Sequence, residues 1–227
     1  MKFLKKYFKK HKERRFLENA STSEVFQMIY KTNKWGDPES VSGKGSNMKQ
    51  TESVRRELPG LLAKIGARSM LDVPCGDFHW LCNCPLDLDS YIGADIVDEL
   101  MRENAERYAN DKRRFQCLDL TRDPLPAVDV ILCRDCLVHL CFEDAARAVN
   151  RIIESDSRYL LATTFVEHDR NVDKLTGKHR PLNMELAPFG WPSPITVIAE
   201  STEGSSYATK GKSLALWRVS DLKQVSL

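Results

Sequence analysis

The sequence predicts an α/β protein built on one doubly wound sheet. Two observations carry that reading. Short apolar runs alternate with helix-period segments between residues 69 and 165, as parallel strands joined by crossovers do. Two further apolar runs, 195–200 and 213–219, are separated by a turn-like stretch. That stretch is too short for a helical crossover, so the pair should form an antiparallel, hairpin-like edge. A chain of 227 residues that is 42% hydrophobic and 29% charged can bury one such core, and nothing marks a separate second domain.

Taken in order, residues 1–17 read MKFLKKYFKKHKERRFL. Phe3, Leu4, Tyr7 and Phe8 recur at helical spacing among lysines, which predicts a short basic amphipathic helix. Residues 1–15 hold eight of the chain's 34 basic residues and one of its 32 acidic ones, so a basic tail precedes a mildly acidic body. Residues 1–20 are therefore set apart from a single domain over 21–227. The tail's functional reading is peripheral contact with an anionic membrane face, and its plain reading is a solvated terminal helix. Nucleic acid is the weaker partner, because no recognised binding module is present. No run reaches membrane-spanning length and no secretory leader is visible, which predicts a cytoplasmic chain. The odd count of seven cysteines, several in strand-like runs, predicts buried free thiols.

A helix is expected over 21–32 with Ser21 or Ser23 as its cap. A Gly/Ser-rich loop follows over 33–50, then a helix over 51–65 with Val54, Leu58, Leu61, Leu62 and Ile65 on one side. Strands are expected at 69–73, 90–96, 114–118, 128–133 and 158–165, with helices at 98–108 and 142–153. Residues 66–166 form the core unit, the irregular segment 167–194 interrupts the alternation, and 195–220 hold the terminal strand pair.

Candidate chemistry centres on LDVPCGDFHWL, residues 71–81. A buried strand ends in a tight turn and should lead into a helix. In open α/β sheets, ligands bind beyond the carboxyl ends of the strands. Gly76 there offers close backbone approach. Asp95 ends the second strand, where a carboxylate can accept from ribose hydroxyls. Asp119 ends the third, where one can accept from an adenine amine. Each Asp alone also reads as a cap or turn former. Their order favours a nucleoside site, and the lack of G-x-G-x-x-G argues against a dinucleotide.

The succession LDVPCGDFHWL, YIGADI, FQCLDL and VDVILCRDCLVHL, with the terminal ITVIAES and KSLALWRV, resembles the class I S-adenosylmethionine-dependent methyltransferases over residues 67–220. The resemblance implies a Rossmann-like sheet of seven strands with the last antiparallel, and S-adenosyl-L-methionine as cofactor. It places Asp72, Pro74, Cys75, Gly76 and Asp77 against the amino-acid half of the cofactor. Asp95 and Ile96 fall at the ribose, Asp119 and Leu120 at the adenine, and Gln50 and Arg134 nearby. Pro74 and Phe78 stand where the family's turn usually carries glycine. WGDPESVSGKGSNMKQT, TGKHRPLNMELAPF and PITVIAE resemble a bacterial branch found among polysaccharide- and glycolipid-modifying enzymes.

Methyl transfer needs acceptor, carbon and sulfur in line, and an oxygen acceptor must also lose a proton. Asp135 and His139, after the fourth strand, are the candidate base and orienter. His139 in LVHL reads equally as a core histidine, and Asp135 as a helix cap. Segment 167–194 is read as an acceptor lid, with Asn171, Arg180 and Asn183 for hydroxyls and Trp191 to stack on a sugar face. The alternative is a Pro-stiffened exposed insertion. Trp35 is expected on the opposite side. Cys133-x-x-Cys136 and Cys82-x-Cys84 do not complete a metal set, and none is expected. The acceptors weighed are a sugar hydroxyl of a glycan or glycolipid and a small metabolite. The remaining alternative is a non-catalytic cofactor-binding partner protein.

Overall fold

The computed structural model describes residues 2–200 and 209–225, with side chains from residue 11 onward. Helices α1 (Lys2–Asn19), α2 (Thr22–Lys31) and α3 (Glu52–Lys64) precede the sheet. Strands β1 (Ser69–Asp72), β2 (Ser90–Asp95), β3 (Arg113–Cys117), β4 (Val130–Cys133), β5 (Tyr159–Phe165), β6 (Thr196–Ala199) and β7 (Lys212–Arg218) follow, with α4 (Asp98–Tyr108) between β2 and β3 and α5 (Phe142–Glu154) between β4 and β5. Among the described residues, all seven strands join one sheet in the order β3-β2-β1-β4-β5-β7-β6. β1 to β5 pair in parallel, and β7 runs antiparallel to both β5 and β6. This is the Rossmann-like sheet expected.

The terminal pair forms the antiparallel edge expected, with β7 placed between β5 and β6 so that β6 is the outermost strand. Burial explains the order. Residues 212–217 of β7 are buried on both faces, whereas Val197 of β6 is 40% exposed. A strand apolar on both faces needs two neighbours, and the half-exposed strand takes the edge.

Two core layers flank the sheet, divided by strand alternation. Leu71, Ile131, Leu160, Ala215 and Trp217 face one layer with α5. Met70, Val130, Leu132, Leu161, Leu214 and Leu216 face the other, covered by Val54, Leu58 and Leu62 of α3. Helix α3 runs through Pro59, held by that buried face.

Two expectations fail. The helix expected after the β1 turn is reduced to a single 3-10 turn, Leu81–Asn83. Phe78, Trp80 and Leu81 fill that space as core residues instead. Segment 167–194 is a packed cover rather than a free lid, and only its His179 reaches the open cleft at the strand ends. Leu182, Met184, Phe189 and Trp191 are buried in the α5 layer, and Phe165 N donates to Leu182 O at 2.8 Å. Irregular chain thus covers the sheet where a crossover helix would otherwise lie.

The α2 cap is Ser21, in a reciprocal capping box with Glu24. The inner half of α1 is docked on the body: Leu17 is buried with Val25 and Ile29. Glu13 pairs with Lys34 at 2.7 Å and Lys178 at 2.5 Å. Those two lysines hold its carboxyl down to about 2. The expected amphipathic face of Phe3, Leu4, Tyr7 and Phe8 lies outside the described side chains. Among the described residues, no helix is long and apolar enough to cross a membrane. All seven cysteines are free; Cys82 and Cys117 are exposed rather than buried.

Candidate active site

The carboxyl ends of β1, β2, β3 and β4 open into one cleft of about 1010 Å³, roofed by α2 and the 41–53 segment. Asp72, Pro74, Cys75, Gly76, Asp95, Ile96, Asp119, Leu120, Arg134 and Gln50 all line it. The β1 turn is stitched to the end of β2. Cys75 N donates to Ala94 O at 2.8 Å, and Gly76 N to Asp95 Oδ2 at 3.2 Å. Leu118 N donates to Asp95 O at 2.9 Å, which sets the ends of β2 and β3 side by side.

Two details correct the sequence reading of this turn. Gly76 adopts φ +54°, but a Cβ there would stand 2.1 Å from Ser42 Oγ. The side chain it excludes would meet the 40–46 loop, not a ligand. Asp77 does not line the cleft. It accepts from Ser40 Oγ and Val41 N, each at 3.0 Å, and pins that loop to the turn. Phe78 also takes a positive φ of 56°. Its ring packs among Tyr91, Tyr108 and Phe115 with centroids 5.1 to 5.3 Å away, which offsets the backbone strain of a non-glycine residue there.

The floor is acidic. Asp72 is buried, accepts from Tyr91 Oη at 2.7 Å, and burial pushes its carboxyl up to about 7. Asp95 is raised to about 6, again by burial, although Val97 N and Gly76 N donate to it. Asp119 Oδ1 accepts from Thr121 N and Oγ1 at 2.9 and 2.7 Å. Buried carboxylates that ionise reluctantly, as Asp72 and Asp95 do, favour a ligand bringing hydroxyl donors or positive charge.

At the end of β4, Asp135 adopts φ +54° and its N donates to Thr163 Oγ1 at 2.8 Å. Lys212 Nζ lies 2.6 Å from its Oδ2 and Arg134 Nη1 3.4 Å. Despite burial, the two cations hold Asp135 far below the usual carboxylate range. A carboxylate so paired is a poor proton acceptor. His139 also lines the cleft; burial first, then His179, lowers it to about 4 and keeps its imidazole neutral. Its Nδ1 is buried with no hydrogen-bond partner among the described residues. The cleft wall continues as a row of rings. Trp35 stands 5.0 Å from His139, His139 5.4 Å from His179, and His179 6.0 Å from Phe165.

Of the residues expected at the acceptor, only Trp35 reaches the cleft. Asn171 Nδ2 donates to the carbonyls of Asn183 and Ala187, both at 2.9 Å. Asn183 Nδ2 donates to His168 O at 3.0 Å. Arg180 is 1% exposed, donates to Leu140 O, and lies over the Phe142 ring. Trp191 packs on Trp217 with centroids 5.0 Å apart. All four are internal fasteners. The sequence reading missed Glu200, Lys212, His179, Phe26 and Tyr30, which do line the cleft. Glu200 and Lys212 carried a signal: each is a charge at the tip of an apolar terminal strand.

No family model matches this sequence, and no curated protein matches it. Solved structures do. The Burkholderia thailandensis 1,6-didemethyltoxoflavin-N1-methyltransferase, with 1,6-didemethyltoxoflavin and S-adenosylhomocysteine bound, superposes with TM-score 0.58 at 15% identity, covering 86% of each chain. The magnesium protoporphyrin IX methyltransferase of Synechocystis PCC 6803, bound to S-adenosylmethionine, gives 0.55 at 13% identity, over 88% of this chain and 97% of that one. A [4+2]-cyclase gives 0.52 at 19% identity, over 73% and 70%. Identities this low establish the fold: that of the Rossmann-like methyltransferases, which also hosts other chemistry.

Proposed function

We propose that this protein is an S-adenosylmethionine-dependent methyltransferase acting on a hydroxyl of an uncharged, ring-bearing acceptor. The observation that carries the reading is the single cleft in which Asp72, Asp95 and Asp119 meet at the ends of three adjacent strands. The donor set fits this cofactor. Asp95 and Asp119 offer acceptors for ribose hydroxyls and an adenine amine, and Asp72 favours a cationic amino-acid end. Arg134 and Lys212, the cations at the end of β4, are already matched by Glu200 and Asp135. Bound there, S-adenosylmethionine supplies a methyl group on a positively charged sulfur.

This chain's residues would do the rest. The turn 74–76 and Asp95 orient the donor; the rings of Trp35 and Phe165 shield the reacting end from water. His139, neutral and lining the cleft, accepts a hydrogen bond from the acceptor's hydroxyl; with its pKa lowered to about 4 it is a weak base that takes the proton only as the methyl transfers. Asp135, ionised, favours the imidazolium that forms. A sugar hydroxyl of a glycan or glycolipid is one acceptor of this kind, and aromatic rings stack on sugar faces. A small metabolite is the other, favoured by the enclosed aromatic wall. On the glycolipid reading, the basic N-terminal helix holds the enzyme at a membrane surface; deleting residues 1–17 should abolish co-sedimentation with anionic vesicles.

The test is incubation of the full chain with methyl-labelled S-adenosylmethionine and, separately, cell-envelope and small-metabolite extracts. Labelled product from one extract identifies the acceptor class. Cofactor binding with no labelled product from either would favour the non-catalytic alternative and contradict the enzyme reading.

A further inference from the structure

Four of the strings singled out in the sequence meet at one point. Gly45 comes from WGDPESVSGKGS, Arg134 and Asp135 from RDCLVHL, Glu200 from PITVIAE, and Lys212 from KSLALWRV. The strand register brings the last two together: Glu200 N donates to Lys212 O at 2.9 Å, one step beyond the Ala199–Ser213 pair. Their side chains close a ring with the β4 pair. Arg134 binds Glu200 through Nη2 at 2.5 Å and Nε at 3.2 and 3.3 Å. Lys212 Nζ stands 3.4 Å from Glu200 and 2.6 Å from Asp135, and Asp135 returns to Arg134 at 3.4 Å. Two cations and two carboxylates thus alternate around a closed circuit. The side chains of Arg134 and Glu200 are only 4% and 2% exposed.

The circuit reaches the cap of the cleft through one residue. Arg134 Nη2 donates to Gly45 O at 2.8 Å, while its guanidinium lies over the Trp80 ring. Gly45 sits so close that a Cβ on it would be 2.8 Å from Asp135 Oδ2. The same loop is pinned at its other end by Asp77, through Ser40 and Val41. Neutralising one member of such a circuit leaves a buried opposite charge unmatched, so the remaining side chains must rearrange. The Gly45 carbonyl then loses its donor.

We propose that Glu200 and Lys212 are positioning residues that latch the 40–46 loop over the cleft by holding Arg134 against Gly45. The latch rests on the methyltransferase reading only in what the loop covers; the latch itself is built from the chain's own contacts. Its function is to fix the roof of the donor site and the acceptor wall as one unit, because Asp135 belongs to both the circuit and the reacting end.

The test has two readouts on the full chain: amide hydrogen exchange without ligand, and calorimetric binding of S-adenosylhomocysteine. Glu200→Gln and Lys212→Met should speed exchange of the Gly43 and Ser46 amides about tenfold or more. They should weaken binding by a similar factor and leave exchange in β1 and β4 unchanged. Lys212→Arg should restore both. Gly45→Ala pushes the loop off Asp135 without unpairing a charge, and should reproduce the fast exchange even if the charge variants fold poorly. Unchanged loop exchange in Gly45→Ala, or in either folded charge variant, would overturn the latch. Fast loop exchange in a chain that never binds S-adenosylhomocysteine would support the latch and refute the cofactor reading instead.

Discussion

Asp72 is where stability and the proposed function oppose each other. Its carboxyl is buried beneath the cleft, and its pKa rises from 3.8 to about 7. A shift of roughly 3 units corresponds to about 4 kcal/mol. The sign follows from linkage. Between about pH 4 and 7 the folded chain holds a proton on Asp72 that the unfolded chain has lost, so stability falls as pH rises through that window. Asp72→Asn removes the titration and keeps an oxygen to accept from Tyr91 Oη. The variant should therefore gain on the wild type as pH rises, by up to about 4 kcal/mol at pH 8 relative to their difference at pH 4. Urea unfolding at pH 4, 6 and 8 measures this directly. The same variant should bind S-adenosylhomocysteine more weakly at pH 8, because the amino-acid end loses a matched charge. Parallel stability curves for the two proteins across the three pH values would refute the reasoning.

Substitutions at Gly76, Ser42 and Trp191 separate packing roles from ligand roles. Gly76→Ala forces a non-glycine residue to φ +54° and drives a Cβ into Ser42 Oγ; it should cost about 1–3 kcal/mol by thermal unfolding. Adding Ser42→Ala should recover only the collision. Trp191→Ala should cost about 3–5 kcal/mol, as a buried core aromatic does. It should leave S-adenosylhomocysteine affinity in the surviving folded protein unchanged; a stable variant with altered ligand binding would restore the lid reading.

The parts legible in the sequence were those set by local periodicity. Strands such as SMLD and TVIA showed as apolar runs, and α5 by its helical stripe, because burial of a face imposes a period on the chain. The strand-end carboxylates were legible because a parallel sheet puts successive strand ends on one side. What failed required tertiary packing to decide. Trp191 looked like a binding surface, yet with no helix between β5 and β6 the sheet face there had to be covered by that very segment. Asp77 resembled a ligand contact and turned out to anchor the cap loop. Asp135 looked like a base until Lys212, 77 positions away, came within hydrogen-bonding distance. No spacing rule reports a partner so remote, although a charge at the tip of a buried strand signals that one must exist.

The most direct measurement is calorimetry of the full chain with S-adenosylhomocysteine and, separately, with NAD. The first should bind saturably and one-to-one, with binding abolished by Asp95→Ala in a protein that remains folded, and the second should not bind. Absence of heat with S-adenosylhomocysteine, undiminished affinity in Asp95→Ala, or equally tight binding of NAD would contradict the cofactor reading.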